Sequence, residues 1–512
     1  MLRKGYVISG ENLVWMWLAE GFILETPGIA PKKVGESYLN ELINRYLIEP
    51  VEVDAAGKAL SCRAYNMVHD MIVSLSAENR FAAILDDNND RPFPETVSGL
   101  SIQKRRNSQQ SLPQAYHSHV RSLLASGDAA SYMYETPLSR FQELRVLDLG
   151  GFDDFLQNKD LMGIGDLYFL KCLVLGSKWI AEIPKEIGNL LFLQTLDLRA
   201  TSVTELPASV LLARQLKRLY VNSRTKIPDG IGKLEDLEEI GDMNVSKTEL
   251  LEELRSLTKL ILLRIAIWSW DYSYGDSVLE ALVRLLAEGR IQTLSILTCC
   301  SLRFLYRLDA GLAPPSLQKL EISHNALVAL PRWIFSLENL SFLSVEVHKL
   351  SQEIIDMLGQ LQNLLVLSLT SKHAPEHNSR FGNRADGFRK LTGFHFASNA
   401  MGKVFGPART LLNLKRLKLS FHVSRTKDIS PGFDFGLENL RSVEHVNVGI
   451  ICFHASRRVV EEAESAIQRA IYTCRGCRPN LRMQRLREQD MVDTSKEEVG
   501  DVVYCNVPSS HE

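Results

Sequence analysis

The sequence lacks several features that define common protein classes. No run of about 18 apolar residues occurs, so we expect no membrane span. Charged residues, Glu11 and Glu20 among them, interrupt the segment after Arg3, which argues against a secretory signal peptide. A formal net charge of -2 and a pI of about 6.7 give no electrostatic case for nucleic acid. These absences predict a cytoplasmic protein with no nucleic-acid partner.

Cysteine is sparse and shows no regular spacing. The eight cysteines follow no disulfide framework, which suits a reducing compartment. Cys474 and Cys477 form a CxxC pair, but no second pair lies at zinc-binding spacing. We therefore expect no metal site.

Leucine, in contrast, recurs in a regular pattern, LxxLxL. The clear copies begin at Leu144, Leu170, Leu193, Leu216, Leu237, Leu260, Ile291, Leu317, Leu340, Leu364, Leu391, Leu414 and Val443, and weaker ones at Val97 and Val120. Most copies lie 21 to 27 residues apart. This spacing is typical of leucine-rich repeats, in which each copy supplies one short parallel strand.

The alternation within LxL predicts strands whose leucines point inward. One coil cannot bury its apolar face alone, so the coils must stack around a continuous core. Proline recurs between the strands, as at Pro184 and Pro207, where it prevents strand extension. An amphipathic helical array is the alternative, but it explains neither the alternation nor the prolines. The predicted fold is an α/β solenoid, a horseshoe of parallel strands.

The residues between the inward leucines should form side-by-side columns on the concave surface. These columns mix charged, hydroxyl and aromatic groups, which suits a protein partner and does not resemble a catalytic pocket. We therefore expect no enzymatic activity. The candidate partner-binding residues on the strands are Arg199, Arg218, Tyr220, Arg416 and Lys418.

One interval between repeats is long. It spans 31 residues, from Leu260 to Ile291, and carries Trp268, Trp270 and Tyr272. Trp and Tyr are enriched at binding hot spots, so these aromatics are candidate partner contacts. Local packing on the solenoid is the alternative.

Residues 1–85 do not repeat and predict a different unit. Apolar spacing indicates helices from Glu11 to about Glu20, from Val34 to Leu47 and from about Val68 to Asn79. Two short strands, Val51–Val53 and Cys62–Asn66, separate the last two helices. Helices combined with a hairpin suggest a small winged-helix domain. It lacks the basic stripe of a DNA-binding one.

The residues of this unit resemble a known family. ENLVWMWLAEGFI, beginning at Glu11, YLNELINRYLI, beginning at Tyr38, and VHDM, beginning at Val68, are similar to the winged-helix segment of plant nucleotide-binding, leucine-rich-repeat (NLR) disease-resistance proteins. The repeats with Leu-Pro punctuation resemble the sensor region of that family. The likeness covers nearly the whole chain.

The resemblance implies a role for His69 and Asp70. In the family this motif lies near the phosphates of bound ADP; His69 would contact the nucleotide and Asp70 would support the local turn. A structural histidine is the alternative. No GxxxxGK[ST] phosphate loop occurs in the sequence. We therefore expect no cofactor, and ADP or ATP only if a further N-terminal region is supplied.

The sequence predicts five segments. They are a winged-helix domain at 1–85, a linker at 86–96, leucine-rich repeats at 97–456, a capping helix at 457–480 and a flexible acidic tail at 481–512.

The predicted function is an interaction module of plant innate immunity. It would bind a pathogen effector, a guarded host protein or a full-length NLR. A nucleotide-operated switch and a substrate adaptor for ubiquitin ligases are the alternatives.

Overall fold

A computed structural model describes most of the chain. The described residues are 4–24, 26–54, 57–85, 97–102, 114–126, 136–151, 156–245, 247–268, 272–298, 305–306, 314–382, 387–406, 411–474 and 479–492. The predicted linker at 86–96 lies outside them. The chain forms two compact units, Met1–Asn325 with Leu330–Ser344, and Ala326–Ala329 with Val345–Glu512.

The first unit begins with the predicted helices and hairpin. The helices are α1 (Gly10–Glu20), α2 (Pro31–Asn44) and α3 (Asn66–Glu78), and the strands are β1 (Ile8–Ser9), β2 (Ile48–Val53) and β3 (Ala59–Ala64). The strands form an antiparallel sheet in the order β1-β3-β2. The winged-helix arrangement inferred from the sequence is therefore present.

Helices α1 and α2 approach each other at a glycine. A Cβ atom added at Gly35 would lie 2.6 Å from Cγ1 of Val14 and 2.5 Å from Cδ1 of Ile23. The helices bury Val14, Ile23 and Leu39 at this crossing. Apolar burial of this kind holds a small domain together.

The remaining strands of the first unit follow the leucine pattern. They are β4 (Ala82–Leu85), β5 (Gly99–Ile102), β6 (Ser122–Ser126), β7 (Val146–Gly151), β8 (Cys172–Ser177), β9 (Thr195–Thr201), β10 (Arg218–Tyr220), β11 (Glu239–Asn244), β12 (Leu262–Ile267), β13 (Thr293–Thr298) and β14 (Lys319–Leu327). Each strand from β4 to β14 pairs in parallel with the next along the chain. Leucines at the fourth position of the LxxLxL pattern, such as Leu147, Leu173 and Leu196, are fully buried.

Prolines start the turns between strands. Pro184, Pro207 and Pro331 each precede a short 3-10 helix and are extended, with φ near -60°. Proline favours this position because its φ is fixed and the first backbone N–H of a helix has no partner within the helix. Two α-helices replace 3-10 turns further along, α4 (Thr248–Leu254) and α5 (Tyr272–Ala287). Helix α5 accounts for the long interval before Ile291.

Strand β15 (Phe342–Val347) spans the division between the units. The second unit contains β16 (Val366–Ser371), β17 (Gly393–Ser398), β18 (Arg416–His422), β19 (His445–Ile451) and β20 (Asn480–Leu486), with helices α6 (Gln352–Leu358), α7 (Val423–Ile429) and α8 (Arg457–Tyr472). Strands β16 to β20 pair in parallel in chain order.

Two predicted boundaries are wrong. The ladder begins at Ala82, inside the range assigned to the winged-helix domain, because β4 pairs with β5 although it lacks the leucine pattern. At the other end, α8 does not close the ladder, since β20 follows it and pairs with β19. Residues 481–492 are therefore ordered repeat and not a flexible tail; residues 493–512 lie outside the described part.

An ion pair explains why the last strand is fixed. Arg485 of β20 donates two hydrogen bonds to the Glu464 carboxylate of α8, both 2.8 Å long. Such bidentate pairs are stronger than ordinary hydrogen bonds. Arg485 also donates to Glu488, an acidic residue of the predicted tail, at 3.0 Å.

Candidate functional site

Two rows of side chains cross strands β7 to β11 on the face opposite the leucine core. The strand register places Val146, Cys172, Thr195, Arg218 and Glu239 side by side in a first row. It places Asp148, Val174, Asp197, Tyr220 and Gly241 in a second row. These are the columns predicted to face a partner.

Both rows are buried, because the winged-helix domain lies over them. Glu239 is 0% exposed, Arg218 2% and Tyr220 3%. On β7 and β8 the rows are partly apolar, and Val146, Cys172 and Val174 join the winged-helix core. The expectation that Arg218 and Tyr220 face solvent is therefore wrong: they contact another domain of the same chain.

The polar part of this contact centres on Lys32 of α2. Its ammonium donates to Oε1 of Glu11 at 2.8 Å and also to Oε1 of Glu239. The second oxygen of Glu239 accepts a hydrogen bond from the Tyr220 hydroxyl. The Glu239 carboxylate of the ladder therefore binds both a lysine of the winged-helix domain and a tyrosine of the preceding strand.

An aromatic ring adjoins the same ion pairs. The Arg218 guanidinium lies over the Trp15 ring of α1, and the Lys32 ammonium lies 5.0 Å from the centre of that ring. Arg218 also donates to Oγ1 of Thr195. A cation on an aromatic face is attracted by its quadrupole, more strongly where water is excluded. We call Glu11, Trp15, Lys32, Arg218, Tyr220 and Glu239 the docking cluster.

The pKa values in the docking cluster reflect burial and pairing. Burial acts to lower the pKa of Lys32, but Glu11 and Glu239 outweigh it and the pKa rises. Burial acts to raise the pKa of Glu11, yet Lys32 holds it below its usual value. Burial lowers the pKa of Arg218 to about 10, against the opposing pull of Glu239. All three groups are thus charged at neutral pH, and the contact is ionic.

Arg199 lies at the margin of the covered area. Its guanidinium is 2.6 Å from Asp197 and 4.6 Å from the centre of the Tyr220 ring. About a third of its side chain, 34%, remains exposed. Of the three predicted partner-binding residues on β9 and β10, Arg199 is the one that a partner can reach.

The predicted aromatic cluster is only partly described. The Trp268 indole donates to the backbone carbonyl of Ser223, so this side chain packs on an earlier repeat. Tyr272 begins helix α5, and Trp270 lies outside the described residues. In the second unit, Arg416 is half-buried and Lys418 is exposed on β18.

The predicted nucleotide motif lies at the start of α3. Nδ1 of His69 is 3.4 Å from Asp70, and the Lys4 ammonium is 2.7 Å from the other oxygen of that carboxylate. The Lys4 hydrogen bond and the one from His69 lower the pKa of Asp70. The Lys4 cation is thus already paired, and α3 adds apolar Val68 and Ile72 beside His69. The cofactor role of His69 and Asp70 stays a prediction.

Sequence reasoning missed Glu11, Trp15, Lys32 and Glu239. The repeat that begins at Leu237 reads LEEIGD and departs from the pattern at Asp242, but Glu239 itself occupies an ordinary outward position, so the pattern gave no signal for it. In the described part of the chain no cluster of three or more His, Cys, Asp or Glu side chains could hold a metal. Within those same residues no helix is long and apolar enough to cross a bilayer.

Comparisons with known proteins agree with this organisation. A leucine-rich repeat region model matches residues 119–480, and the winged helix domain of disease resistance proteins matches residues 1–72. Disease resistance protein RGA5 of Oryza sativa subsp. japonica is 27% identical over 494 residues, covering 90% of this chain and 42% of that protein. Disease resistance protein PIK6-NP of the same organism is 31% identical over 413 residues, covering 71% and 38%.

The chain therefore spans about two fifths of the length of these relatives. Among solved structures, an LRR protein of Leptospira interrogans is 19% identical, with a TM-score of 0.36 over 65% of this chain and 81% of that one.

Proposed function

Because the chain belongs to the leucine-rich-repeat family of plant disease-resistance proteins and carries their winged-helix domain, we propose that it is a recognition module of plant innate immunity. It binds a protein through the outward positions of the strands that the winged-helix domain leaves uncovered. The partner is a pathogen effector, a guarded host protein or a longer member of the same family. The module acts in the cytoplasm and catalyses no reaction.

The observation that carries the proposal is the change in burial along the first row. The row continues from buried Glu239 to Leu262 on β12, Thr293 on β13 and Lys319 on β14. These three side chains are half-buried, so the winged-helix domain covers the first row only as far as β11. Strand surfaces with unfilled outward positions are common binding sites of repeat proteins.

The uncovered positions have the mixed chemistry of a protein-binding surface. Lys319 lies 3.1 Å from Glu321, and its ammonium is 4.5 Å from the centre of the Phe342 ring. In the second unit, Lys418, His445 and Asn447 are exposed on adjacent strands. Charge, amide and aromatic groups together favour a protein over a small substrate.

The test compares partners captured by three versions of the full chain during infection. A double variant, Arg416→Glu with Lys418→Glu, reverses charge on the outward face of β18. The matched control, Arg469→Glu, reverses charge on exposed α8, away from the strand face. Proximity labelling should give partners shared by the wild type and the control and lost from the double variant. Identical partner sets from all three would refute recognition through β18.

A further inference from the structure

A cavity of about 500 Å³ lies between the winged-helix domain and the first strands of the ladder. Its walls come from α1, α3 and β3 on one side and from β4 to β7 on the other. Most of the wall is apolar and includes Leu13, Met16, Val68, Ile72 and Leu124. The cavity is separate from the docking cluster, none of whose residues lines it.

The cavity is a partly open pocket and not an enclosed void, since its wall residues Phe22 and Ile72 are 51% and 38% exposed. Solvent therefore reaches it, but the mainly apolar wall offers that water few hydrogen-bond partners. Pockets of about 300–1,000 Å³ with mainly apolar walls and a few polar groups are typical of small-molecule sites.

Three charged side chains of the wall already have a hydrogen-bond or ion-pair partner. Glu20 accepts a hydrogen bond from the Ser122 hydroxyl. Arg63 donates to Glu49 at 2.8 Å, and Arg121 lies 3.7 Å from Glu143. An ionic ligand would have to displace one of these partners, whereas a neutral ligand would not.

The thiol in the wall is neutral as well. Cys62 is buried, and burial raises its pKa to about 11. It therefore carries no charge at neutral pH. Apart from Glu20, Arg63 and Arg121, the wall therefore offers mainly carbon surface and neutral polar groups.

We propose that this cavity binds a neutral, mainly apolar small molecule on the order of 20 non-hydrogen atoms, a size that such volumes accommodate. The ligand contacts the winged-helix domain and the ladder at once, so binding favours the state in which the two are packed together. This site is independent of the strand surface proposed for partner recognition, and either can exist without the other.

The test uses the neutral fluorophore N-phenyl-1-naphthylamine and the purified full chain. Leu124→Trp places a larger side chain in the cavity from β6. Ile72→Trp does so from α3. Ile72 is 38% exposed, so a larger side chain is accommodated there more easily. The control, Leu191→Trp, makes the same chemical change at a site 57% exposed on the ladder. Circular dichroism verifies that each variant is folded.

The wild type and Leu191→Trp should bind the fluorophore saturably and with equal affinity. The two cavity variants should bind at least about tenfold more weakly. Saturating fluorophore should also raise the melting temperature of the wild type and of the control but not of the cavity variants.

Three results would overturn the proposal. The first is equal affinity in all four proteins, which would place the fluorophore elsewhere. The second is tighter binding of the anionic analogue 8-anilinonaphthalene-1-sulfonate. The third is a wild type that binds neither dye and self-associates through this face, because a second copy would then fill the cavity.

Discussion

The docking cluster predicts a large local effect from one isosteric substitution, Glu239→Gln. The change keeps the volume of the side chain and removes its negative charge. In the wild type this carboxylate is fully buried and accepts hydrogen bonds from Lys32 and Tyr220. After substitution the lysine retains Glu11 as its one acidic partner in the cluster.

The free energy that Glu239→Gln removes depends on how far Lys32, its ionic partner, is exposed to water. Removing one member of a buried ion pair costs about 3–5 kcal/mol, because the other charge stays in a poorly solvated place. Lys32 is 24% exposed and keeps Glu11, so the penalty falls below that range. We expect the docked arrangement to lose about 2–3 kcal/mol of free energy.

Hydrogen exchange read by mass spectrometry measures this loss where it arises. Amides in α1 and in β10 to β11 should exchange about 30- to 140-fold faster, since 1.4 kcal/mol corresponds to a factor of ten. Amides in α8 belong to the second unit and provide the internal reference. Global unfolding is less suitable, because a chain with two units need not unfold in one step.

The matched control is Glu235→Gln, on the exposed turn that leads into β11. It should leave exchange in α1 unchanged. If Glu235→Gln and Glu239→Gln accelerate amide exchange in α1 equally, or if neither accelerates it, the ionic account of the docking cluster is refuted.

Three further predictions concern other groups. Burial raises the pKa of Asp148 from 3.8 to about 6, so the folded protein loses up to about 3 kcal/mol as pH rises through this window. Asp148→Asn should raise the melting temperature at pH 7.5 and flatten its fall between pH 4 and 6; an unchanged profile would contradict this. Arg485→Ala should speed exchange in β20 by about tenfold through loss of Glu464, judged against β16. His69→Ala should not alter the melting response to ADP, and an ADP-dependent rise that this change abolishes would reveal a phosphate site.

The repeat strands were predictable from sequence because their cause is local. Every predicted LxxLxL copy, from Val97 to Val443, is followed by a strand. Inward leucines recur at fixed spacing, and stacking needs only neighbouring repeats. The two strands that were missed, β4 and β20, lie at the ends, where the leucines give way to other apolar and basic residues.

The burial of Arg218 and Tyr220 was not predictable in this way. It depends on contacts between residues far apart in sequence: Lys32 and Glu239 are separated by 207 positions. Periodicity shows that a side chain points out of the leucine core, but not whether another domain covers it. The alternation on β10 is the same as on β18, where Lys418 is exposed.

The central structural claim is that the winged-helix domain covers the outward rows of β7 to β11. Hydroxyl-radical footprinting of the full chain tests it most directly, because tyrosine reacts according to its exposure. Tyr220 is 3% exposed and Tyr168, on a turn of the same unit, is 57% exposed. Strong protection of Tyr220 with ready oxidation of Tyr168 is the predicted result. Equal oxidation of the two residues would contradict the docked arrangement.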